Sequence, residues 1–441
     1  MQHQKIFHIS LFFISFFLAG NIAHAQTNTD PYSSVGIGNI VNRNFDRSAG
    51  MGSAGISLAS PRYIYDENPA SLPKLSNHYF SMEVSGNLTG MYYTGNPLSY
   101  QSTTGTGSFT SAQFQIERFV LAVKPTSFWG AAVGLKQFSS SNYYFTQPQN
   151  VIGSTDIVNT TRTGSGGINQ VFFSNGIQLN KNFSVGITAS YLFGSMQDEK
   201  DILGQNVFGE QINVTNLQYY HRFYFNVGAQ YMAMLSPKWR IGIGAIASNK
   251  TTLSGTNHLT ITEGDADVSL PTPLVNDSIT AAMSYFRLPI MYGAGISLIY
   301  DDKLTFAVDY KAQNWGSVQN MVPSSSYTFV NSRQISAGVE YTKRKNIAIP
   351  NTNSIIPFDK YFYQIGGYYG NEYLEIRGKQ LVNAGITLGV GSNSLKTGLG
   401  YMFNLSIGTR GTTANQLIKE DYFQLGVTIT YEDFWNRFKL R

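Results

Sequence analysis

From residue 78 to residue 432, apolar side chains recur at every second position, in one segment after another. In LKTGLGYMFNLSI, Leu395, Leu399, Tyr401, Phe403, Leu405 and Ile407 share one face. Lys396, Gly398, Gly400, Met402, Asn404 and Ser406 share the other. YFQLGVTITY sets Phe423, Leu425, Val427, Ile429 and Tyr431 against Gln424, Gly426, Thr428 and Thr430. KLTFAVDYK repeats the pattern, with Leu304, Phe306, Val308 and Tyr310 against Lys303, Thr305, Asp309 and Lys311. A period of two is the signature of a strand with two unlike faces. A soluble sandwich with one buried face would share that period. Here the segments are long, their apolar faces end in Tyr, Phe or Trp, and the connections come in two lengths, as in a transmembrane β-barrel.

The spacing predicts strands at 78–93, 110–124, 127–146, 166–180, 182–198, 214–234, 238–262, 279–300, 303–316, 327–343, 357–372, 378–391, 395–409 and 420–432. That makes an all-β, fourteen-stranded antiparallel barrel. Tight turns at Lys124-Pro125-Thr126, Asn180-Lys181, Ser236-Pro237-Lys238, Asp301-Asp302 and Ser392-Asn393-Ser394 alternate with longer polar loops. Those loops fall near 94–109, 147–165, 199–213, 263–278, 317–326 and 410–419. Short turns face the periplasm and long loops face outward, and an even strand count leaves both termini inside. The longer connection at 344–356, with Pro350, is the exception on the turn side.

Composition agrees. The chain has 43 Gly, 28 Tyr and 29 Phe, only 13 % charged residues and no cysteine. High glycine and aromatic content with few charges suits strands that are apolar on one face only. Residues 1–25, with one Lys, the apolar run IFHISLFFISFFLAG and Ala23-His24-Ala25, read as a secretory signal peptide. Without Lys5, 30 basic and 26 acidic side chains remain, a net +4 spread along the chain. No basic block suggests nucleic acid. The expected location is the outer membrane of a Gram-negative bacterium, as a monomer in contact with outer-membrane lipid and lipopolysaccharide.

Between signal peptide and barrel lies MGSAGISLASPRYIYDENPASLP, residues 51–73. With Gly50 it contains G-x-G-x-x-G, which a dinucleotide site would place between a buried strand and a helix. The preceding residues, Asn44 to Ala49, make no such strand, and the chain beyond it is a strand ladder. A barrel of this size has a lumen that must be filled or it leaks. Residues 26–77 lack sustained alternation and read as a hatch. Its small residues, among them Gly50, Gly52 and Gly55, let the chain pack closely, and Asn68-Pro69-Ala70 fixes a bend. Inward glycines at 130, 134, 186, 242, 244, 398 and 400 offer matching space.

The run Arg47-Ser48-Ala49-Gly50-Met51-Gly52-Ser53-Ala54-Gly55-Ile56-Ser57-Leu58-Ala59, followed by Asn68-Pro69-Ala70-Ser71-Leu72, resembles the hatch signature of the outer-membrane long-chain fatty-acid transporter family (FadL/TodX type). Leu288-Pro289, Gly293, Asp309-Tyr310 and Trp315 resemble that family's pattern across two consecutive strands. Asp30-Pro31-Tyr32-Ser33, Gly36-Ile37-Gly38, Arg410-Gly411-Thr412-Thr413 and Leu417-Ile418-Lys419-Glu420 resemble its Bacteroidetes branch. The resemblance implies a hatch-bearing barrel that passes hydrophobic molecules, fatty acids or similar, inward by diffusion. Ser71 stands where the family usually has Gly, Glu67 where an aromatic is common, and the chain ends FWNRFKLR rather than on an aromatic.

A fatty acid would need a cation near its carboxylate. Strand parity places Arg222 and Arg287, then Arg118 and Lys136, in the lumen, where pairing with Asp46, Asp66 or Glu67 is the alternative. Glu263, Asp265, Asp267 and Asp277 in loop 263–278 match no calcium-loop spacing and read as a solvated acidic loop. His78, His221 and His258 have no serine motif beside them, so no catalytic residue, cofactor or metal is expected. Two functional readings stand. One is passive uptake of a hydrophobic small molecule; the other is a partner barrel in an envelope secretion or surface assembly. An outer-membrane hydrolase is a distant third. Uptake calls for an apolar pocket above the hatch and an exit, sought at strand 3, where Ser139-Ser140-Ser141 interrupts the alternation. A partner barrel calls for an apolar patch on a loop or the periplasmic side, with the tail 433–441, including Trp435 and Phe438, as a candidate.

Overall fold

The computed structural model describes residues 30–95, 109–150, 155, 157–203, 211–264, 272–277, 284–318, 327–348, 355–394 and 397–434. The expected signal peptide and most of the tail lie outside the described residues. Fourteen antiparallel strands close into one barrel. They are β1 (Tyr79–Gly95), β2 (Phe109–Lys124), β3 (Trp129–Ser140 and Tyr143–Asn150), β4 (Ile157–Gln178) and β5 (Phe183–Leu203). Next come β6 (Gln211–Met234), β7 (Trp239–Ser248, Thr251–Gly255 and Asn257–Gly264), β8 (Ser284–Leu288 and Met291–Tyr300) and β9 (Leu304–Gln313). β10 (Ser332–Ala348), β11 (Ile355–Ile376), β12 (Lys379–Asn393), β13 (Leu399–Gly411) and β14 (Ile418–Phe434) complete it. The β1–β14 ladder, from Tyr79↔Phe434 to Gly95↔Ile418, closes the wall.

Alternation becomes an inside and an outside. Ile365, Leu388, Leu405, Leu425, Leu88 and Phe114 stand directly opposite one another across six neighbouring strands. All but Leu405 are more than a third exposed. An apolar row of this extent in water would be an association hazard; against lipid it is the spanning belt. Trp239 packs on Tyr300 at 4.7 Å near the short-turn rim, where an aromatic girdle belongs.

Three strands are interrupted, one of them, β7, a second time at Thr256. β3 breaks at Ser141–Asn142, next to the expected interruption. β7 breaks at Asn249–Lys250. β8 breaks at Pro289–Ile290, where proline has no N–H to give to a ladder. The expected loop at 344–356 is instead mostly hairpin, because the β10–β11 ladder continues to Ala348↔Ile355. The hairpin Asn257–Gly264 with Thr272–Asp277 occupies much of the acidic loop; Asp265 and Asp267 lie outside the described residues.

Residues 30–77 carry only short 3-10 turns, at Pro31–Ser34, Ala49–Met51 and Pro69–Lys74, and one two-residue strand, Asn39–Ile40. They lie against the inward face of the wall. Met51 and Gly52 back onto β10 and β11 so closely that a Cβ on Gly366 would stand 2.3 Å from the Met51 carbonyl carbon. Gly52 has φ +68°, and a Cβ there would sit 2.3 Å from the Gly367 carbonyl oxygen. Gly52→Ala is therefore expected to cost about 1–3 kcal/mol through backbone strain and overpacking. The check is proteolysis of residues 47–60 in the folded barrel, which should be faster than in the parent.

Candidate functional site

The hatch residues singled out from sequence all reach the wall or shape the hatch itself. Asn68 is fully buried: Oδ1 accepts the Ala70 N–H at 3.1 Å, and Nδ2 donates to the Ile56 and Ala229 carbonyls at 2.7 and 3.2 Å. It thus caps the Pro69–Lys74 turn, with proline at the first helical position, and ties the bend to β6. Inward glycines receive this turn as expected at Gly130, against Leu72, and Gly186, against Pro69. Gly242 and Gly244 receive Ser57 and Ile56. Gly134, Gly398 and Gly400 differ: the nearest atoms to their missing Cβ belong to the barrel itself, Phe172, Glu432 and Thr430 among them. Space on the inner face was legible, but which of it the hatch fills depends on tilt and register.

Two anchors grip the glycine run. The Gly55 and Ile56 N–H groups both donate to Asp309 Oδ2, at 2.7 and 2.8 Å. The Gly52 N–H donates to Thr387 Oγ1 at 2.8 Å, and that hydroxyl donates to the Gly50 carbonyl at 2.9 Å. Small residues are required because the wall bonds the hatch backbone directly.

Buried charges fasten the rest. The Arg47 guanidinium forks onto Glu340 at 2.6 and 2.9 Å and reaches Asp359 at 2.7 Å. It lies over the rings of Tyr63 and Phe362, at 4.0 and 4.2 Å. Arg62 pairs with Glu432, and Glu67 with Lys311 at 2.8 Å. Near the loop end Asp30 meets Arg410 at 3.1 Å, beside Glu372 and Glu420. Arg47, Arg62 and Arg410 are not among the sequence candidates. Arg47 opens the hatch signature and Arg410 the later Arg-Gly-Thr-Thr run, so the signal was present, but the pairings that join hatch to wall, Arg47 with Glu340 and Asp30 with Arg410, span 293 and 380 positions.

The four cations expected to await a ligand carboxylate fare differently. Arg118 is spent on Asp66 at 2.9 Å and Glu83 at 2.6 Å, and Lys136 on Asp66 at 2.7 Å. Arg118 is aimed inward at a β-bulge, where Glu117 is inserted opposite Ser85 and Gly86, so that Glu117 and Arg118, successive in the chain, are both buried. Arg222 takes the inward face, opposite the buried Leu192, but is exposed and lines no part of the central chamber. Arg287 overturns its assignment: Phe286 and Leu288 point inward, so Arg287 points out. Beyond the break at Pro289 the inward series is Gly293, Gly295, Ser297 and Ile299, of opposite parity. Extending that series back through the proline slips one residue and turns every side chain over.

Burial, and then the negative charge of Asp66, push the Asp46 carboxyl up to about 7. Its Oδ1 accepts the Ser48 N–H at 2.7 Å, while Oδ2 is buried without a hydrogen-bond partner. Burial also opposes ionisation of Asp66, but the Lys136 ammonium and the Arg118 guanidinium outweigh it and hold that carboxyl well below its ordinary range.

Above the hatch lies a chamber of about 350 Å³ lined largely by polar side chains, among them Asn87, Gln113, Gln115, Glu117, Gln170 and Gln424. Arg43 stands in it, 4.8 Å from both the Tyr368 and the Tyr422 ring centres, donating to Ser406 at 2.9 Å and to Gln424. A mostly apolar pocket of about 1140 Å³ is lined by Met91, Tyr369, Ile386, Ile407 and Phe423 among others. Toward the loops, a separate apolar cluster is packed by the chain's own N-terminal segment. Ile37 is fully buried among Phe286, Leu288, Trp315 and Tyr373, with Tyr32 in the same cluster.

That segment also completes the wall. β2 pairs with β3 only from Arg118↔Lys136 to Val123↔Ala131. The edge of β3 beyond Lys136 is taken by the hatch, through Ile40↔Ser139 and Asn39↔Ser140, and the Val41 N–H donates to the Phe138 carbonyl at 3.0 Å. At the break, Ser141 Oγ donates to the Ser33 carbonyl at 3.1 Å, and the Asp30 N–H to the Asn142 carbonyl at 3.1 Å. Strand 3 is interrupted where expected, and the interruption is stitched shut. Among the described residues no group of three or more His, Cys, Asp or Glu side chains could hold a metal ion.

Solved structures share this architecture. A Pseudomonas aeruginosa FadL homologue aligns with a TM-score of 0.59 at 13 % identity, over 91 % of this chain and all of that one. The Pseudomonas putida toluene transporter TodX aligns at 0.53 and 13 %, over 88 % and 100 %. The monoaromatic hydrocarbon channel CymD aligns at 0.52 and 15 %, over 94 % and 100 %. At these identities the likeness is one of fold. A model of the BamG family matches residues 5–440. No curated protein sequence matches the chain.

The electrostatics give two expected outcomes. Arg47→Ala leaves Glu340 without its guanidinium and Asp359 with Arg344 alone, at a cost of about 3–5 kcal/mol. Planar-bilayer recordings should then show ion leakage that the parent lacks. Because the folded Asp46 carboxyl binds its proton more tightly than an unfolded one, its contribution to stability is present below about pH 4 and lost as pH rises through about 7. Asp46→Asn keeps the Oδ1 acceptor and should flatten that fall, measured as hatch proteolysis across this pH range.

Proposed function

The chain belongs to the BamG family, and we propose that it works as a sealed outer-membrane barrel, a partner in an envelope secretion or surface assembly. The observation that carries this reading is the clamp: Arg47, Arg62, Asp66, Glu67 and Asp30 of the hatch are each ion-paired to the wall. Displacing the hatch would strand several buried charges, at about 3–5 kcal/mol for each pair broken. The chamber above it sets amides and ions among its apolar side chains, and a hydrophobic solute entering it would have to desolvate them. Two of the cations a fatty-acid carboxylate would seek, Arg118 and Lys136, are committed to internal carboxylates.

A second reading, passive uptake of hydrophobic molecules, draws on one specific arrangement. One segment, residues 30–41, both buries Ile37 in the apolar cluster and covers the break in β3. Its withdrawal would free an apolar pocket and open the wall beside it. TodX is a toluene transporter, so a small apolar solute is the substrate class this reading takes.

The chain has no cysteine, so engineered disulfides can separate the two. Ser57→Cys with Ser297→Cys would staple the hatch where the Ser297 hydroxyl meets the Ser57 carbonyl at 3.4 Å. Ser33→Cys with Ser141→Cys would staple the break. Each stapled protein should restore the envelope of a deletion strain as well as the parent does. Rescue that appears only under reductant would show that hatch or segment must move, and would establish the conduit reading instead.

A further inference from the structure

At the short-turn end the hatch floor and the neighbouring barrel turns gather lysines that form no carboxylate salt bridge among the described residues. Lys74 ends the Pro69–Lys74 turn, and its ammonium donates to the Lys181 carbonyl at 3.1 Å. Lys124 donates to the Leu75 carbonyl at 2.7 Å. Lys181 and Lys238 are exposed on the next two turns. Among the described residues none of Lys74, Lys124, Lys181 and Lys238 has a carboxylate oxygen within 4.0 Å, although Lys238 lies near enough to Asp301 to favour its ionised form. The carboxylates nearby are committed: Asp302 to Arg240 and Arg344, Asp301 to Lys303. Burial and the charge of Arg240 both push the Lys74 ammonium below its ordinary value, so like charges have been gathered here against their own repulsion.

Apolar side chains flank them. Phe128, in the turn before β3, is 55 % exposed, and Met234, on the inward-facing series of β6, is 60 % exposed. The turns are contiguous, since the Gln178 N–H donates to the Phe128 carbonyl and the Met232 N–H to the Asn182 carbonyl. A lipid-headgroup anchor would place its cations on the outer rim. Lys74 belongs to the hatch, inside the ring of strands, where no headgroup lies.

We propose that Lys74, Lys181 and Lys238, with Phe128 and Met234, form a docking surface for an acidic face of a periplasmic protein. This deepens the sealed-barrel reading and rests on it. Charge complementarity selects the partner: fixed cations around exposed apolar anchors fit carboxylates around an apolar centre, which steers association and makes it salt-dependent.

The test uses the full barrel in nanodiscs of zwitterionic lipid, with fluorescent poly-L-glutamate as the acidic probe. Lys74→Gln, Lys181→Gln and Lys238→Gln together should weaken binding about tenfold or more and remove most of its salt dependence. Lys379→Gln with Lys419→Gln, on the loop side, should leave it unchanged. Heat-modifiable gel migration confirms that each variant is folded. Equal binding by the triple variant, or none by the parent, overturns the proposal. So does loss of co-purifying phosphatidylglycerol from the triple variant with poly-glutamate binding intact, which would make the patch a headgroup site. The disulfide-stapled proteins still report on the sealed barrel if this surface fails.

Discussion

No backbone amide or carbonyl can be left unpaired in hydrocarbon, and most of this molecule follows from that constraint. It closes fourteen strands through the β1–β14 ladder. A ring of that circumference encloses a bore, and the bore must be filled. The filling has backbone of its own to satisfy, so the hatch bonds to Asp309, Thr387 and the Ala229 carbonyl. Its small residues permit that closeness.

Filling a bore with charges sets this hatch apart from an ordinary core. A buried ion pair adds little net stability over apolar packing, because desolvation consumes most of the Coulombic gain, yet breaking one leaves a charge stranded. Such a design gives positional specificity more than stability. Arg47 fits only between Glu340 and Asp359 over two aromatic rings, which fixes the hatch's rotation in the bore. Asp46 is the local cost of the arrangement, a carboxyl with one oxygen buried and unpartnered beside another carboxyl.

The segment 30–41 couples the two halves of the structure. Without it, β3 beyond Lys136 would present a bare edge to β2, and the cluster around Trp315 would enclose a void. One stretch of chain therefore serves as wall and as core. The fold is one the protein shares with hydrocarbon channels, and in this structure the segment occupies both places at once.

Period-two alternation determined the strand count, the outward belt and the order of turns and loops, because lipid outside and a filled bore inside impose opposite demands on successive residues. The glycine run and Asn68-Pro69 marked the hatch, since only small residues and a fixed bend suit a chain packed against strands. Local pattern does not carry register through a break, so parity puts Arg287 on the wrong face across Pro289. Nor does it carry pairing over long separations. Arg118 and Lys136 read as free cations until the fold brings Asp66 to them, and Arg47 needs Glu340, 293 positions away. The sequence by itself determined that these residues line a barrel. Which charge meets which was decided by tertiary structure alone, because barrel closure and strand tilt, properties of the whole wall, set those distances.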